Sequence, residues 1–192
     1  MTRTLVRILL ICALCTLFAV VVAQAAAQHR RRIVVPKEII QQLLTTDKDI
    51  KELVESEHYT ATTLAKELRA RTIELNNDKR QELVVQGFCS VTGNCSTWIY
   101  HKSKKGYQLI LDSKEAQVVE TRRTLTNGYR DIVLAVTGGA FDSDLALYKF
   151  DGKQYQLKEC FERHYNNYND KRRRLHVSQR PRITTVKCQP EQ

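Results

Sequence analysis

The segment from Glu74 to Glu82 carries oxygen-bearing side chains at the spacing of a calcium-binding loop. The four potential ligands stand at positions one, three, five and nine of the segment: Glu74, Asn76, Asp78 and Glu82. Alternate side chains of a tight loop converge on one point, and Ca²⁺ prefers such hard oxygen ligands. However, Lys79 stands where a calcium loop uses glycine for its sharp turn, and Lys79 and Arg80 place positive charge beside the cation. We therefore expect a polar turn in which Asn76 and Asp78 bond to the backbone.

Recognisable catalytic motifs are missing from the sequence. The histidines show no H-E-x-x-H spacing, and the chain has neither a G-x-S-x-G elbow nor a G-x-x-x-x-G-K-[ST] phosphate loop. Asp142 and Asp144 offer two carboxylates that, with a nearby histidine, could support acid–base hydrolysis. Carboxylates two residues apart before a strand more often form an Asx turn, and we expect that role here. The protein is predicted not to be an enzyme and to need no cofactor, and a hydrolase with an unrecognised site is the third interpretation.

A basic segment near the C-terminus could bind anions. Six cations lie within twelve residues, and two tyrosines precede them: Lys171, Arg172, Arg173, Arg174, Arg180, Arg182, Tyr165 and Tyr168. Arginine forms paired hydrogen bonds with phosphate, and aromatic rings stack on planar or sugar groups. The competing interpretation is a solvated charged loop, because charge runs are usually only that.

The first 27 residues predict a secretory signal peptide. Two arginines precede an apolar run over 8–22, and small residues end it at 23–27. The run is shorter than the ~20 apolar residues of a membrane-spanning helix. We therefore expect cleavage after Ala25 or Ala27, with no transmembrane helix in the exported chain. The whole chain carries a formal net charge of +10, and the exported form remains basic.

The exported chain keeps four cysteines: Cys89, Cys95, Cys160 and Cys188. An even number in an oxidising compartment favours two disulfides, and four cysteines allow three pairings. We favour Cys89–Cys95 and Cys160–Cys188, because Gly93 and Asn94 supply a turn inside the first pair and each pair is nearest in sequence. A zinc site is the alternative, but the C-x5-C spacing differs from the usual two to four intervening residues.

Helices are expected near the start of the exported chain. Residues 28–35 form a basic leader, and Pro36 suits the first turn of a helix. Apolar residues then repeat at helical spacing along two segments: Ile39, Ile40, Leu43 and Leu44, followed by Ile50, Leu53 and Val54. Thr46 or Asp47 can cap the second segment. Two short helices that cover a sheet are therefore predicted.

From Leu68 onward the pattern changes to short β-rich runs. Turn residues interrupt the chain every eight to twelve positions, and Asp151-Gly152 is the clearest hairpin turn. Residues 163–182 break the pattern and predict a long, polar, mobile loop. The fold class is α+β: short N-terminal helices pack on an antiparallel β-meander sheet, either curled or split in two, within one domain over 36–192.

Several of these segments together resemble known proteins. Residues 73–78 and the following Glu82-Leu83-Val84-Val85 resemble the D-L-N-G-D-G-x-x-E-hydrophobic segment of FG-GAP-like repeats. With the Cys89–Cys95 turn, the strand Trp98-Ile99-Tyr100 and the motif at Thr126–Val133, they resemble small exported bacterial proteins of unknown function over about 68–162. The resemblance implies an exported β-rich domain and supplies no activity.

The expected function is that of an exported, non-catalytic binding or structural domain, periplasmic or secreted. Its basic loop would contact an anionic glycan, a lipid headgroup or an envelope protein. Nucleic acid is not an expected partner outside the cytoplasm. The runner-up is an inhibitor or accessory protein that docks on a secreted enzyme through the disulfide-braced turn at Cys89–Cys95.

Overall fold

The described part of the chain begins with helices, because the two apolar stripes predicted there are buried by packing on a sheet. The computed structural model describes residues 33–57, 60–139, 142–165, 167–169, 175–177 and 181–188. The predicted signal peptide and most of the basic leader lie outside these described residues. Residues 34–192 form one compact unit, to which every element below belongs. Within the described residues, no helix combines the length and apolar character needed to cross a bilayer.

Three helices precede the strands. They are α1 (Lys37–Thr46), α2 (Lys48–Glu57) and α3 (Ala61–Glu67). Asp47 separates the first two, since its backbone N–H bonds to the carbonyl of Leu43 and its side chain accepts the N–H of Ile50 at 3.0 Å. The two predicted helices are confirmed, with Asp47 as the cap. The short α3 was not predicted, although Thr60 and Thr63 form a capping box at its start.

The strands form two main antiparallel sheets and one small hairpin. The first sheet has the order β1-β2-β3-β4, the second has the order β11-β8-β7-β6-β5, and β9 pairs with β10. The strands are β1 (Arg69–Ile73), β2 (Glu82–Gly87), β3 (Cys95–Ser103), β4 (Gly106–Ala116), β5 (Val118–Thr126), β6 (Tyr129–Thr137), β7 (Asp142–Phe150), β8 (Tyr155–His164), β9 (Asn167–Asn169), β10 (Leu175–Val177) and β11 (Arg182–Val186). The predicted α+β fold is confirmed, with the meander split in two.

The first sheet is buried on both faces. Val84 contributes to a core shared with the second sheet, which includes Ile99, Leu111, Ile132, Leu134 and Tyr148. Leu83 and Val85 face the other way, because successive side chains of a strand alternate. On that side they join Trp98, Tyr100, Ile39, Leu43 and Leu64 under the helices. The layers are therefore helices, first sheet and second sheet.

Two predicted hairpin turns differ in length. At Asn127-Gly128 both residues adopt positive φ (49° and 83°), and the strands pair directly on either side. The predicted turn at Asp151-Gly152 is a hairpin, but it spans four residues. The N–H of Asp151 bonds to the carbonyl of Gln154 at 2.9 Å, and its carboxylate accepts two further backbone N–H groups. The Asp151 side chain therefore stabilises a longer turn than the dipeptide predicted.

The segment predicted as a long loop contains further strand structure. β8 continues to His164, which pairs with Arg182 at the start of β11. Between them, β9 and β10 form a short hairpin. We call residues 165–181 the β8–β11 arm. The prediction of a long polar loop over 163–182 was wrong for these strands, because β9 and β10 have only three residues each and are too short for an apolar alternation to indicate a strand.

Candidate functional site

The basic segment predicted to bind anions belongs to the β8–β11 arm. The root of the arm is fixed by the β8–β11 pairing and by the disulfide Cys160–Cys188, whose Cα atoms are 5.2 Å apart. Along the chain, residues 170–174 connect β9 to β10. Lys171–Arg174 and Arg180 lie outside the described residues. In chain order, Lys171–Arg174 therefore fall between β9 and β10, and Arg180 falls between β10 and β11.

Three other predicted anion-binding residues can be located. Arg182 is exposed at the start of β11, and Tyr168 belongs to β9. The Tyr165 ring lies 5.9 Å from the guanidinium of Arg163, which also approaches Glu120 of β5 at 3.9 Å. The described contact of Tyr165 is therefore with a cation outside the predicted set, and Arg163 was missed because it precedes the basic run.

Asp142 and Asp144 lie in β7, so the prediction that they form an Asx turn before the strand was wrong. Asp142 Oδ1 lies 2.7 Å from Nδ1 of His164, directly across the β7–β8 pair. Glu162 Oε2 lies 3.3 Å from Nε2 of the same ring, and Asp144 pairs in register with Glu162. His164 is thus the nearby histidine of the hydrolase interpretation.

Both ring nitrogens of His164 contact a carboxylate. The hydrogen bond to Asp142, followed by that to Glu162, raises the pKa of His164. This arrangement favours a protonated ring over a free general base, which needs an unprotonated nitrogen facing a substrate. Among the described residues, no group of three or more His, Cys, Asp or Glu side chains has the geometry to hold a metal ion.

In the segment with calcium-loop spacing, three side-chain oxygens accept backbone N–H groups of the same segment. Glu74 Oε1 accepts the N–H of Asn77 at 2.7 Å. Asn76 and Asp78 each accept the N–H two residues further on, at 3.2 and 2.7 Å. Lys79 adopts a positive φ of 66°, so lysine takes the conformation usually given to glycine. These are the backbone bonds expected of a polar turn.

Glu82, the fourth predicted oxygen ligand, points into the protein instead. It is 0% exposed, and its Oε2 accepts the N–H of Leu75 at 2.9 Å. Its Oε1 lies 3.0 Å from Nδ1 of His101, and the hydroxyl of Tyr129 lies 3.2 Å from the same nitrogen. Burial raises the pKa of Glu82, although the hydrogen bond with His101 acts in the opposite direction. This cluster was missed because its members are far apart in sequence.

The disulfide-braced turn projects an apolar side chain into solvent. Cys89–Cys95 is bonded as predicted, and Val91 at the turn has a relative exposure of 106%. Inside the turn, the N–H of Ser90 bonds to the carbonyl of Asn94 at 2.7 Å, and the N–H of Gly93 bonds to Ser90 at 2.9 Å. A covalent bond and two backbone hydrogen bonds therefore hold Val91 in place.

The same turn is bonded to the second sheet. The Asn94 amide donates to the carbonyl of Thr137 at 3.0 Å and accepts its N–H at 2.8 Å. Gln117 donates to the carbonyl of Thr92 at 3.2 Å. Because Cys95 begins β3 and Thr137 ends β6, the turn joins both main sheets. It forms a rigid projection, which we call the Val91 turn (residues 89–95).

Comparison with known proteins found no relative of this chain. No family model matches it, no curated protein matches it, and no solved structure matches it. The resemblance to an FG-GAP-like segment therefore stays a prediction. Any function has to be inferred from the contacts described above.

Proposed function

We propose that this protein is an exported, non-catalytic binding domain that contacts anionic envelope components through the basic segment of the β8–β11 arm. The observation that carries the proposal is topological: Lys171–Arg174 connect β9 to β10, beyond a root held by strand pairing and Cys160–Cys188. The two disulfides are compatible with an oxidising, exported location.

The charge of this segment suits an extended anionic surface better than a single small anion. One lysine or arginine near an anionic membrane contributes about 1 kcal/mol, so four contribute about 4 kcal/mol, which corresponds to a dissociation constant of about 1 mM. The attraction is screened over about 8 Å at physiological ionic strength. Four such contacts form together only on a polyanion, such as an acidic glycan or an anionic lipid surface, and the binding weakens with salt.

The test replaces Lys171–Arg174 by serine in the exported protein. A matched control replaces four exposed cations elsewhere: Lys104, Lys105, Arg122 and Arg123. We expect the first variant to elute from heparin at much lower salt, to lose binding to anionic vesicles and to keep its melting temperature. The control should keep most of its retention, since it has the same net charge but an intact arm.

Two outcomes would count against the arm. Equal losses in both variants would mean that retention reflects net charge alone. Unchanged retention of the Lys171–Arg174 variant would mean that the anion site lies elsewhere. Comparison of heparin with anionic vesicles then separates a glycan partner from a lipid surface.

The second candidate function is that of an inhibitor or accessory protein that docks through the Val91 turn. A specific observation favours it: Val91 is fully exposed on a turn fixed by a disulfide and by bonds to both sheets. A turn whose backbone is already held in place loses little entropy when a partner binds it. A branched apolar side chain on a rigid projection fits a concave apolar site on another protein.

Replacement of Val91 by aspartate tests this second function. Val118→Asp serves as the control, because Val118 is also exposed and lies in the neighbouring β5. We expect a protein retained from an envelope extract by the wild type and by Val118→Asp to be lost with Val91→Asp, at both low and high salt. Identical retention by all three proteins would exclude the Val91 turn as a docking element.

A further inference from the structure

An apolar cavity of about 200 Å³ lies between α2 and the first sheet. We call it the Trp98 cavity. Apolar side chains from α2, from β3 and from the residue after β2 line it, together with two carboxylates: Ile50, Leu53, Trp98, Phe88, Asp47 and Asp49. Asp49 is exposed and Asp47 is half-buried. The cavity therefore combines an apolar wall with acidic groups, and neither proposed function above uses it.

The negative charge at the cavity outweighs the opposing helix dipole. Asp47 accepts the indole N–H of Trp98 and the backbone N–H of Ile50, both at 3.0 Å. These donors are neutral, so they leave the carboxylate charge in place. The N-terminus of α2 offsets about half of one charge, whereas Asp47 and Asp49 together carry two. Residues 47–57 carry five carboxylates against two lysines, so on a chain with a formal net charge of +10 this is a local region of the opposite sign.

This combination selects a ligand with an apolar stem and a cationic end. The methylene groups of a lysine or arginine side chain can pack on an apolar wall while the charged head reaches a carboxylate. An anion would be repelled, and a purely apolar group would leave the carboxylates without a counter-charge.

The position of the cavity indicates that the cation belongs to a protein. Phe88 and Ser96, which both line the cavity, directly flank Cys89 and Cys95. A surface that contacts the rigid Val91 turn would therefore also cover the cavity beside it. We infer that the Trp98 cavity receives a lysine or arginine side chain of a partner protein. This inference goes beyond the anion-binding function and is independent of the β8–β11 arm, and its assignment of the cation to a partner protein rests on docking through the Val91 turn.

Trp98 makes the inference directly measurable, because it is the only tryptophan in the chain. Its indole N–H gives a single NMR signal, and its fluorescence reports the same site. The exported protein is titrated with Nα-acetyl-lysine N-methylamide and with the norleucine analogue, which has a similar stem and no charge. We expect saturable shifts with a dissociation constant of about 1–10 mM for the lysine probe, and at least fivefold weaker binding of the norleucine probe.

Two α2 variants localise the effect. Asp49→Asn removes a cavity charge from an exposed position and should weaken binding of the lysine probe several-fold. Glu55→Gln removes a charge from the exposed surface of the same helix and should leave binding unchanged. Both variants keep the apolar wall, so the melting temperature of Glu55→Gln should match that of the wild type. That of Asp49→Asn should fall by no more than a few degrees, because it loses a carboxylate in the first turn of α2.

Several results would overturn the inference. Equal binding of the norleucine probe would identify a plain apolar cavity. A response that does not saturate, or equal binding by wild type and Asp49→Asn, would exclude a cation site at Trp98. Tighter binding of putrescine than of the lysine probe would assign the cavity to free amines rather than to a partner protein.

Discussion

Glu82 and His101 form a hydrogen-bonded pair inside the protein, with Oε1 3.0 Å from Nδ1. Glu82 has no exposed surface, and the His101 side chain is only 18% exposed. The other carboxylate oxygen accepts the N–H of Leu75. One carboxylate therefore links the start of the loop after β1 to β2 and β3, and it does so where a charge is costly to bury.

Replacement of Glu82 by alanine should lower the free energy of unfolding by about 2–4 kcal/mol, because it leaves the buried N–H of Leu75 without an acceptor. The free energy of unfolding of Glu82→Gln should fall less, since an amide oxygen can still accept the N–H of Leu75. Urea unfolding at pH 7 measures both. Equal stability of the two variants would contradict a hydrogen-bonding role for Glu82.

Calcium should change the stability of this protein little or not at all. The side-chain oxygens of Glu74, Asn76 and Asp78 already accept backbone N–H groups, and Glu82 is turned into the core. A ligand at a hundred times its dissociation constant would contribute about 2.7 kcal/mol, enough to raise the melting temperature by several degrees. A clear rise in millimolar Ca²⁺ that Mg²⁺ does not reproduce would show that the loop rearranges to bind the metal.

The sheets could be predicted from sequence because their residues have strong local patterns. Leu83-Val84-Val85 is a continuous apolar run, as expected of a strand buried on both faces. Asn127-Gly128 predicts a tight turn, and both residues adopt the positive φ that such a turn needs. By contrast, α3 buries only Leu64, so it lacks a repeating stripe that would indicate a helix.

The side-chain clusters could not be predicted in the same way. His101 lies 19 residues from Glu82 and 28 from Tyr129. The pairing of β2 with β3 brings Glu82 to His101, and the packing of the second sheet on the first brings Tyr129 to them. Asp142 and His164 are likewise joined by strand pairing across 22 residues. The cysteine pairing could be predicted from the sequence, because the short spacing within each pair and the Gly-Asn turn favoured it without knowledge of the strand register.

The two disulfides should stabilise the exported protein unequally. In the chain-entropy model, a crosslink with a sequence separation of 28 contributes about 3.6 kcal/mol, and one with a separation of 6 contributes about 2.2 kcal/mol. Cys160→Ser/Cys188→Ser should therefore lose more stability in urea than Cys89→Ser/Cys95→Ser.

The intact exported protein should have a mass about 4 Da below that of its reduced form, one hydrogen per sulfur. Free thiols in natively exported protein would contradict both bonds.

The contact of His164 with Asp142 and Glu162 should make stability depend on pH. These hydrogen bonds raise the pKa of His164 above its ordinary value of 6.5, so the folded protein binds the proton more tightly than the unfolded chain. The resulting stabilisation is fully present below pH 6.5 and is lost as the pH rises through the raised value. His164→Gln should therefore lower the melting temperature at pH 6 and leave it nearly unchanged at pH 9.

The NMR titration of the His164 ring gives the same answer without a stability measurement. Its midpoint should lie above 6.5 in the wild type and should fall in Asp142→Asn, because Asp142 makes the larger contribution. Glu159→Gln is the matched control, since Glu159 is an exposed carboxylate of the same strand with no described bond to His164. A wild-type midpoint at or below 6.5, or an equal fall in both variants, would contradict the specific contact, because a general loss of negative charge would then account for the shift.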